Sequence, residues 1–311
     1  MVDVFFGGPN KDKIRKELDS PLIKEVSQDG KKKLTYFGLA GPLLLDIIEW
    51  QDYIKEFVIV EESFGTKERS RERNRQEILT KTSFTTALRN GRGVINDFCT
   101  ILYGDIDRDV ILKGKGDFGK LLPKKSFGLI YLDYYGGIFK AKYREEAIKR
   151  VVLEQKQNST ADSDYVLLLT VENLDKGEVE KRALVNEILD NLKDAKIDTI
   201  ALKSFKEYLS ACRYGILQKI YVPIKIYRYA KDCGDDISCF EPVIYQEREP
   251  SDLKRAIMLH FRFIISIKKS RKDAWPMIND VVDICNLRLL TVEKDKIIPY
   301  RDQTPKLNLS R

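Results

Sequence analysis

Short, continuous apolar runs alternate with longer amphipathic stretches through the first two thirds of the chain. The apolar runs have the length of strands, whereas the stretches between them space their apolar residues as one face of a helix does. Continuous apolar strands separated by helices are typical of a parallel sheet that is buried on both faces, so the pattern predicts an α/β fold. The predicted strands are 34–39, 57–60, 99–106, 127–133 and 164–171, and the predicted helices are 41–54, 142–155, 178–193 and 202–214.

Two longer apolar runs follow. Residues 219–230 and 256–267 are both predicted to be strands, with no clear long helix between them, so we expect an antiparallel pair at one edge. Pro223 lies within the first run and has no backbone N–H to donate, which favours an edge strand or a bulge. The sequence therefore predicts a mostly parallel seven-stranded sheet with helices on both faces and a C-terminal antiparallel strand pair.

The two ends of the chain extend beyond this pattern. Residues 1–30 contain a predicted helix that is interrupted by Pro21. Residues 271–311 are apolar enough to pack on the core rather than form a loose tail. We therefore expect an N-terminal helical extension over 1–30, a central domain over 31–270 and a packed C-terminal extension over 271–311.

Composition narrows the class of protein. The chain has 311 residues, of which 43% are hydrophobic and 10% aromatic, so it can bury a sizeable core. Its longest apolar runs fall short of the roughly 20 residues that a membrane span needs, and no basic leader precedes the first apolar patch, which predicts a cytoplasmic protein. The five cysteines lack CxxC spacing, and His260 lies between apolar residues, so we expect free thiols, a structural histidine and no metal site.

Glycines and acids stand at the ends of the predicted strands, where ligands of open α/β sheets bind. In the first turn, Gly38 and Gly41 would allow the backbone to approach a ligand, or would simply form a strand-to-helix turn before a proline. Glu61 and Glu62 follow the second strand and are either ribose acceptors or a solvated strand end. Asp105 follows the third strand and is either a ligand contact or a cap for the next element.

This order of strands and strand-end residues resembles the Rossmann-like class I S-adenosylmethionine-dependent methyltransferases, over roughly residues 30–270. The resemblance implies that S-adenosylmethionine is the cofactor. It also implies that Gly38 and Gly41 lie under the methionine portion of the cofactor. Glu61 or Glu62 would then bind the ribose, and Asp105 with Ile106 would lie near the adenine. Many members have an acid and three glycines in the first turn, where this chain has only GxxG.

The fourth predicted strand ends in Asp133-Tyr134-Tyr135-Gly136. This sequence resembles the D/N-P-P-Y/F motif of methyltransferases that act on amino groups of bases, and also the D-P-F-G form, although Tyr134 replaces proline. The resemblance implies that Asp133 orients the acceptor amine and that Tyr134 and Tyr135 contact or stack on the base. The alternative is that both tyrosines pack under a helix while the glycines form the turn.

Two basic segments favour a nucleic-acid substrate. The net charge of +7 permits a polyanionic partner without requiring one. Arginine-rich and lysine-rich loops near one rim of the sheet would clasp phosphates, although such charge runs are also typical of a solvated helix. The candidate phosphate contacts are Lys67, Arg69, Arg71, Arg73, Arg75, Lys113 and Lys115.

The sequence leaves three hypotheses for function. The first is methyl transfer from S-adenosylmethionine to an amino nitrogen of a nucleic-acid base. The second is a catalytically inactive methyltransferase-like subunit that binds nucleic acid or protein partners in a larger complex. The third, another Rossmann-like enzyme that uses a nucleotide, is disfavoured because the phosphate-loop sequence GxxxxGK[ST] is missing. No feature of the sequence indicates the oligomeric state.

Overall fold

The computed structural model describes residues 9–39, 45–61, 99–112, 125–134, 137, 143–174, 176–192, 199–248, 255–268, 278–293, 296–301 and 307. The α-helices in these ranges are α1 Pro9–Ile14, α2 Ser20–Val26, α3 Leu45–Trp50, α4 Arg144–Asn158, α5 Glu178–Leu192, α6 Thr199–Ala211, α7 Tyr214–Asp232 and α8 Ile278–Asn286. Two π-helical segments, Arg15–Asp19 and Ile106–Leu112, and a 3-10 turn, Gln51–Tyr53, complete the helices.

The strands of the described residues form one mixed sheet. Its order is β10-β9-β7-β8-β5-β4-β1-β2-β3, and β6 also pairs with β8. The strands are β1 Leu34–Gly38, β2 Ile54–Glu61, β3 Cys99–Tyr103, β4 Leu129–Asp133, β5 Ser163–Glu172, β6 Asp236–Cys239, β7 Val243–Arg248, β8 Arg255–Ile267, β9 Leu290–Glu293 and β10 Lys296–Pro299.

The five strands β1 to β5 are parallel, and the chain changes direction across the sheet between β1 and β4. β1 therefore has β2 on one side and β4 on the other, which is the doubly wound, Rossmann-like arrangement. Gly38, the last residue of β1, lies opposite Tyr131 of β4. The carboxyl ends of β1 and β4 thus meet at the switch point, and we call the carboxyl ends of β1 to β5 the carboxyl edge.

Burial on both faces explains why these strands are almost wholly apolar. Residues of β4 alternate between two clusters, because successive side chains of a strand point to opposite faces. Ile130 and Leu132 pack with α4 and α7 on the face that we call face A. Leu129 and Tyr131 pack with α2 and α3 on the opposite face, face B.

One predicted strand in the C-terminal half, residues 219–230, is a helix in the structure. Residues 219–230 lie inside α7, a helix of which most residues are buried, including Pro223. Its polar side chains Lys225 and Arg228 interrupt a long apolar run only briefly, and such a run resembles a buried strand in sequence. The place beside β8 is taken by β6 and β7, which pair end to end along it.

The predicted fold class is confirmed, although the described sheet has ten strands rather than seven. β8 runs antiparallel to both β5 and β7, so the C-terminal strands do close the parallel sheet in antiparallel fashion. The difference in strand number has two sources. The strand beside β8 is broken into β6 and β7, and the C-terminal extension adds β9 and β10 beyond β7.

The N-terminal extension is helical from Pro9 to Val26, with a change of helix type rather than a break. The Ser20 N–H bonds to the Arg15 carbonyl, five residues earlier, immediately before Pro21. A proline cannot donate an N–H and crowds the carbonyl four residues earlier, so a wider turn before it relieves the clash. Within the described residues, no helix is both long and apolar enough to cross a membrane.

Candidate active site

Gly38 is required where β1 ends. A Cβ on this residue would lie 2.1 Å from the carbonyl oxygen of Tyr131 in β4, which leaves no room for a side chain. The next residue, Leu39, donates its N–H to the same oxygen at 3.1 Å. Close approach of β4 therefore accounts for this glycine, and the second predicted glycine, Gly41, lies outside the described residues.

Asp105 caps the π-helical segment that follows β3. Its Oδ1 accepts the Arg108 N–H at 2.8 Å, and its carbonyl accepts the Val110 N–H at 3.2 Å, which confirms the capping alternative. Ile106 is buried in the face A cluster. Glu61 ends β2 beside Tyr103 of β3. The adenine and ribose roles of these residues stay predictions.

Several predicted contacts lie outside the described residues. Glu62 and the side chain of Glu61 are among them, as are Tyr135 and Gly136 of the acid-aromatic sequence. The candidate phosphate contacts in the same position are Lys67, Arg69, Arg71, Arg73, Arg75, Lys113 and Lys115.

Asp133 and Tyr134 are neighbours in sequence but point to opposite faces of the sheet. Tyr134 continues the alternation of Ile130 and Leu132 and packs in the face A cluster, where it is 3% exposed. Asp133, two residues after Tyr131, points to the same face as that tyrosine and contacts a helix on face B. The acid and the first aromatic ring of the motif therefore do not line one slot.

A buried polar cluster explains the position of Tyr134. Its hydroxyl donates to Asp107 Oδ1 at 2.6 Å, and the guanidinium of Arg144 lies over its ring, 4.1 Å from the centre. Arg144 also donates to Asp107 and, at 2.9 Å, to the carbonyl of Gly137. Burial raises the pKa of Asp107, against the opposing effects of Tyr134 and Arg144. These contacts favour the packing alternative for Tyr134.

On face B, Asp133 forms an ion pair with Lys11 of α1. Both side chains are mostly buried, with 14% of Asp133 and 13% of Lys11 exposed. The amine of Lys11 donates directly to Asp133 Oδ2. An acid at the carboxyl end of β4, beside the switch point, thus already binds an N–H donor.

Lys11 is the first of three charged residues spaced four apart that meet partners at this face. Arg15 donates to Asp46, near the start of α3, at 2.5 Å. Asp19 lies 2.9 Å from His260 Nε2. Sequence reasoning missed this set, although the i, i+4, i+8 spacing of Lys11, Arg15 and Asp19 was visible as a charged stripe on a helix.

The histidine in this set is structural, as predicted. His260 is 1% exposed, and its Nδ1 lies 2.9 Å from Thr170 Oγ1. Asp133, Thr170 and His260 are paired in register across β4, β5 and β8. One helical segment, through Lys11 and Asp19, therefore contacts both ends of a single row of side chains on face B.

Tyr36 of β1 places a buried hydroxyl beside the first turn. The residue is fully buried, and its hydroxyl has no hydrogen-bond partner among the described residues. The Gly38 Cβ position is 3.0 Å from this oxygen. Burial raises the pKa of Tyr36, and the nearby carboxylates of Asp46 and Asp133 raise it further, so the phenol stays protonated. Burial likewise raises the pKa of Asp46, against the opposing effect of Arg15.

These groups fit the amino-acid portion of S-adenosylmethionine. That portion carries one ammonium and one carboxylate, so it requires both acceptors and donors. The described edge offers the carboxylate of Asp46, the orphan hydroxyl of Tyr36 and the cation of Arg15. A buried hydroxyl without a partner is costly unless a ligand or water satisfies it.

No protein-family model matches the sequence. No curated protein matches it either. Among solved structures, an arsenic(III) S-adenosylmethionine methyltransferase from Chlamydomonas reinhardtii is 13% identical with a TM-score of 0.39, over 80% of this chain and 74% of that one. Precorrin-6y C5,15-methyltransferase from Geobacter metallireducens is 10% identical with a TM-score of 0.33, over 80% of this chain and 87% of that one.

TYW2 from Pyrococcus horikoshii, solved in complex with MeSAdo, is 10% identical with a TM-score of 0.36, over 85% of this chain and 65% of that one. Because these TM-scores lie below 0.5, we base the fold on the strand order and register described above.

Proposed function

We propose that this chain is an S-adenosylmethionine-dependent methyltransferase that acts on an amino nitrogen of a nucleic-acid base. The observation that carries the proposal is the carboxylate of Asp133, which lies at the switch point and binds a nitrogen donor, Lys11. Ligands of doubly wound sheets bind beyond the carboxyl ends of the strands at this point. A mostly buried acid that accepts N–H groups there suits an acceptor amine.

The cofactor would lie across the carboxyl ends of β1 to β3. Gly38 would lie under its amino-acid portion, with the Tyr36 hydroxyl as a donor to it. Glu61 or Glu62 would accept the ribose hydroxyls, and Asp105 with Ile106 would contact the adenine. When bound, the cofactor supplies an electrophilic methyl group.

Asp133 would accept a hydrogen bond from the amine and so aim its nitrogen lone pair at that methyl group. Positioning supplies most of the rate in such a displacement, and the amine proton can leave to water afterwards. Tyr135 would stack on the base, and the lysines and arginines of the two basic segments would contact phosphates.

A catalytically inactive, methyltransferase-like subunit is the second candidate. One observation favours it. Tyr134 of the motif is buried in contact with Asp107 and Arg144 and does not face the place of an acceptor. Such a subunit would bind nucleic acid or protein partners through the same edge without turning over.

The test compares Asp133→Ala with Asp164→Ala, a matched change at an exposed acid near the opposite end of the sheet. Binding of labelled S-adenosylmethionine and label transfer to transfer RNA and mixed single-stranded DNA are both measured. We expect Asp133→Ala to lower transfer by about 100-fold with binding unchanged, because the hydrogen-bond acceptor that orients the amine is lost. Asp164→Ala should change neither. Equal transfer by Asp133→Ala and the unmodified protein would contradict the role of Asp133, and binding without transfer by the unmodified protein and both variants would favour the inactive subunit.

A further inference from the structure

Lys11 contacts the carboxylate that the proposed function gives to the acceptor amine. Its Nζ donates to Asp133 Oδ2, although 122 residues separate the two in sequence. We propose that the Lys11 side chain is an internal occupant of the acceptor position, which competes with substrate for Asp133. This inference rests on the proposed function, since it assigns regulation to the same site.

The chemistry of the pair favours a blocking role over a substrate role for Lys11. A lysine ammonium has three N–H donors and no lone pair, so while protonated it can satisfy Asp133 but cannot attack a methyl group. While Lys11 holds Oδ2, an acceptor amine has to compete with it for the carboxylate of Asp133.

The rest of the N-terminal segment is anchored independently of Lys11. Ile14 is 2% exposed in a cluster with residues of β7, β8 and β9, and Ile23 is fully buried on face B. Arg15 and Asp19 hold their own partners, Asp46 and His260. Since lysine has a flexible four-carbon stem, its ammonium can leave Asp133 while the helix stays in place.

The ionic character of this contact suits an exchangeable occupant. Buried ion pairs are often no more stabilising than apolar residues of similar size, because both charges lose their hydration. An apolar side chain at position 11 would pack at this place but could not saturate Asp133. The Lys11 amine instead donates to Asp133 as an acceptor amine would, until an N–H donor of the substrate replaces it.

The experiment measures acceptor KM and kcat for three full-length variants, with labelled S-adenosylmethionine and transfer RNA or mixed single-stranded DNA as the acceptor. Lys11→Met removes the amine while keeping an unbranched side chain. Lys13→Met is the matched control, because Lys13 lies on the same helix and pairs with Glu17 at 2.6 Å. Lys11→Arg keeps a charged donor at the position.

We expect Lys11→Met to lower the acceptor KM about tenfold with kcat unchanged, because a competing internal state is removed. Lys13→Met should match the unmodified protein, and Lys11→Arg should stay close to it. The melting temperature of each variant shows whether it is folded. If Lys11→Met is unfolded, the acceptor KM of Lys11→Arg is compared with that of the unmodified protein instead.

Three results would overturn the inference. Equal acceptor KM for Lys11→Met and Lys13→Met would show that Lys11 does not compete. If every variant binds S-adenosylmethionine but none transfers the label, removal of Lys11 does not make the site active. A 14 Da gain on Lys11 itself, seen by mass spectrometry, would make it a substrate rather than an occupant. Failure of all variants to bind S-adenosylmethionine would instead refute the proposed function, and the inference with it.

Discussion

Two carboxylates at the carboxyl edge, Asp107 on face A and Asp133 on face B, differ in how their partners are held. Asp107 accepts from Tyr134 and Arg144, which also contact each other and the Gly137 carbonyl. Asp133 accepts from Lys11, a single flexible side chain on the N-terminal segment. The first acid belongs to a closed network, whereas the second has a partner that can leave.

This difference separates a structural acid from a candidate functional one, where the sequence motif alone could not. A buried acid whose donors also contact each other is costly to separate from them. An acid held by one flexible ammonium can bind a different N–H donor once that ammonium moves away.

The largest effect is expected from Asp107→Ala. It would remove the carboxylate that accepts from both Tyr134 and Arg144 inside the face A cluster, so we expect the free energy of unfolding to fall by about 3–5 kcal/mol. Urea denaturation measures the loss. Asp133→Ala is the matched change on face B and should cost only about 1 kcal/mol, because the Lys11 stem can carry its ammonium to water. Equal losses for the two variants would erase the distinction between the acids.

Gly38→Ala comes next, since it tests whether the switch point is as tight as its geometry indicates. The new methyl group would overlap the Tyr131 carbonyl, a backbone atom that cannot swing aside, so we expect a loss of about 1–3 kcal/mol in unfolding free energy. At Gly177, a Cβ would contact only the Glu180 carboxylate end at 3.3 Å. Gly177→Ala should therefore be nearly neutral in the same urea experiment, and a comparable loss there would discount the overlap argument.

Tyr134→Phe should have a moderate effect on stability and none on acceptor binding. It removes the donor to Asp107 but keeps the ring under Arg144, so we expect a loss of about 1–2 kcal/mol in unfolding free energy. In the transfer assay, a large rise in acceptor KM for this variant would restore the stacking role that the motif implies for Tyr134.

The smallest effect concerns Glu145, a third acid, which lies on α4 and is only partly buried. Burial raises its pKa, but Lys225, Tyr229 and Tyr221 lower it more, so the net pKa lies below the usual 4.5. The stabilising contribution is therefore present above pH 4.5 and is lost as the pH falls through the lowered folded-state pKa.

Glu145→Gln should cost about 1 kcal/mol of unfolding free energy at pH 7, and the difference from the unmodified protein should shrink in acid. Urea midpoints at pH 7, 4 and 3 measure the trend. A difference that instead grew as the pH fell would mean that burial, rather than Lys225, dominates the pKa of Glu145.

The sequence carried enough information to predict the parallel half of the sheet but not the site around Asp133. Buried parallel strands such as 164–171 are continuous apolar runs, so local patterning identifies them. The same patterning failed at 219–230, because a helix buried on most sides has only a narrow polar face, here Lys225 and Arg228, to set its period. The apolar run that precedes Asp133 predicted its position at a strand end. Its contact with Lys11 could not be predicted, because a contact across 122 residues has no effect on local periodicity.

The most direct test of the account is a calorimetric titration of the full chain with S-adenosylmethionine and S-adenosylhomocysteine, accompanied by melting curves. A methyltransferase site at the carboxyl edge predicts saturable one-to-one binding of both compounds and a rise in melting temperature with each. No heat at two temperatures, together with unchanged melting, would contradict the proposed function and favour an inactive subunit with this fold.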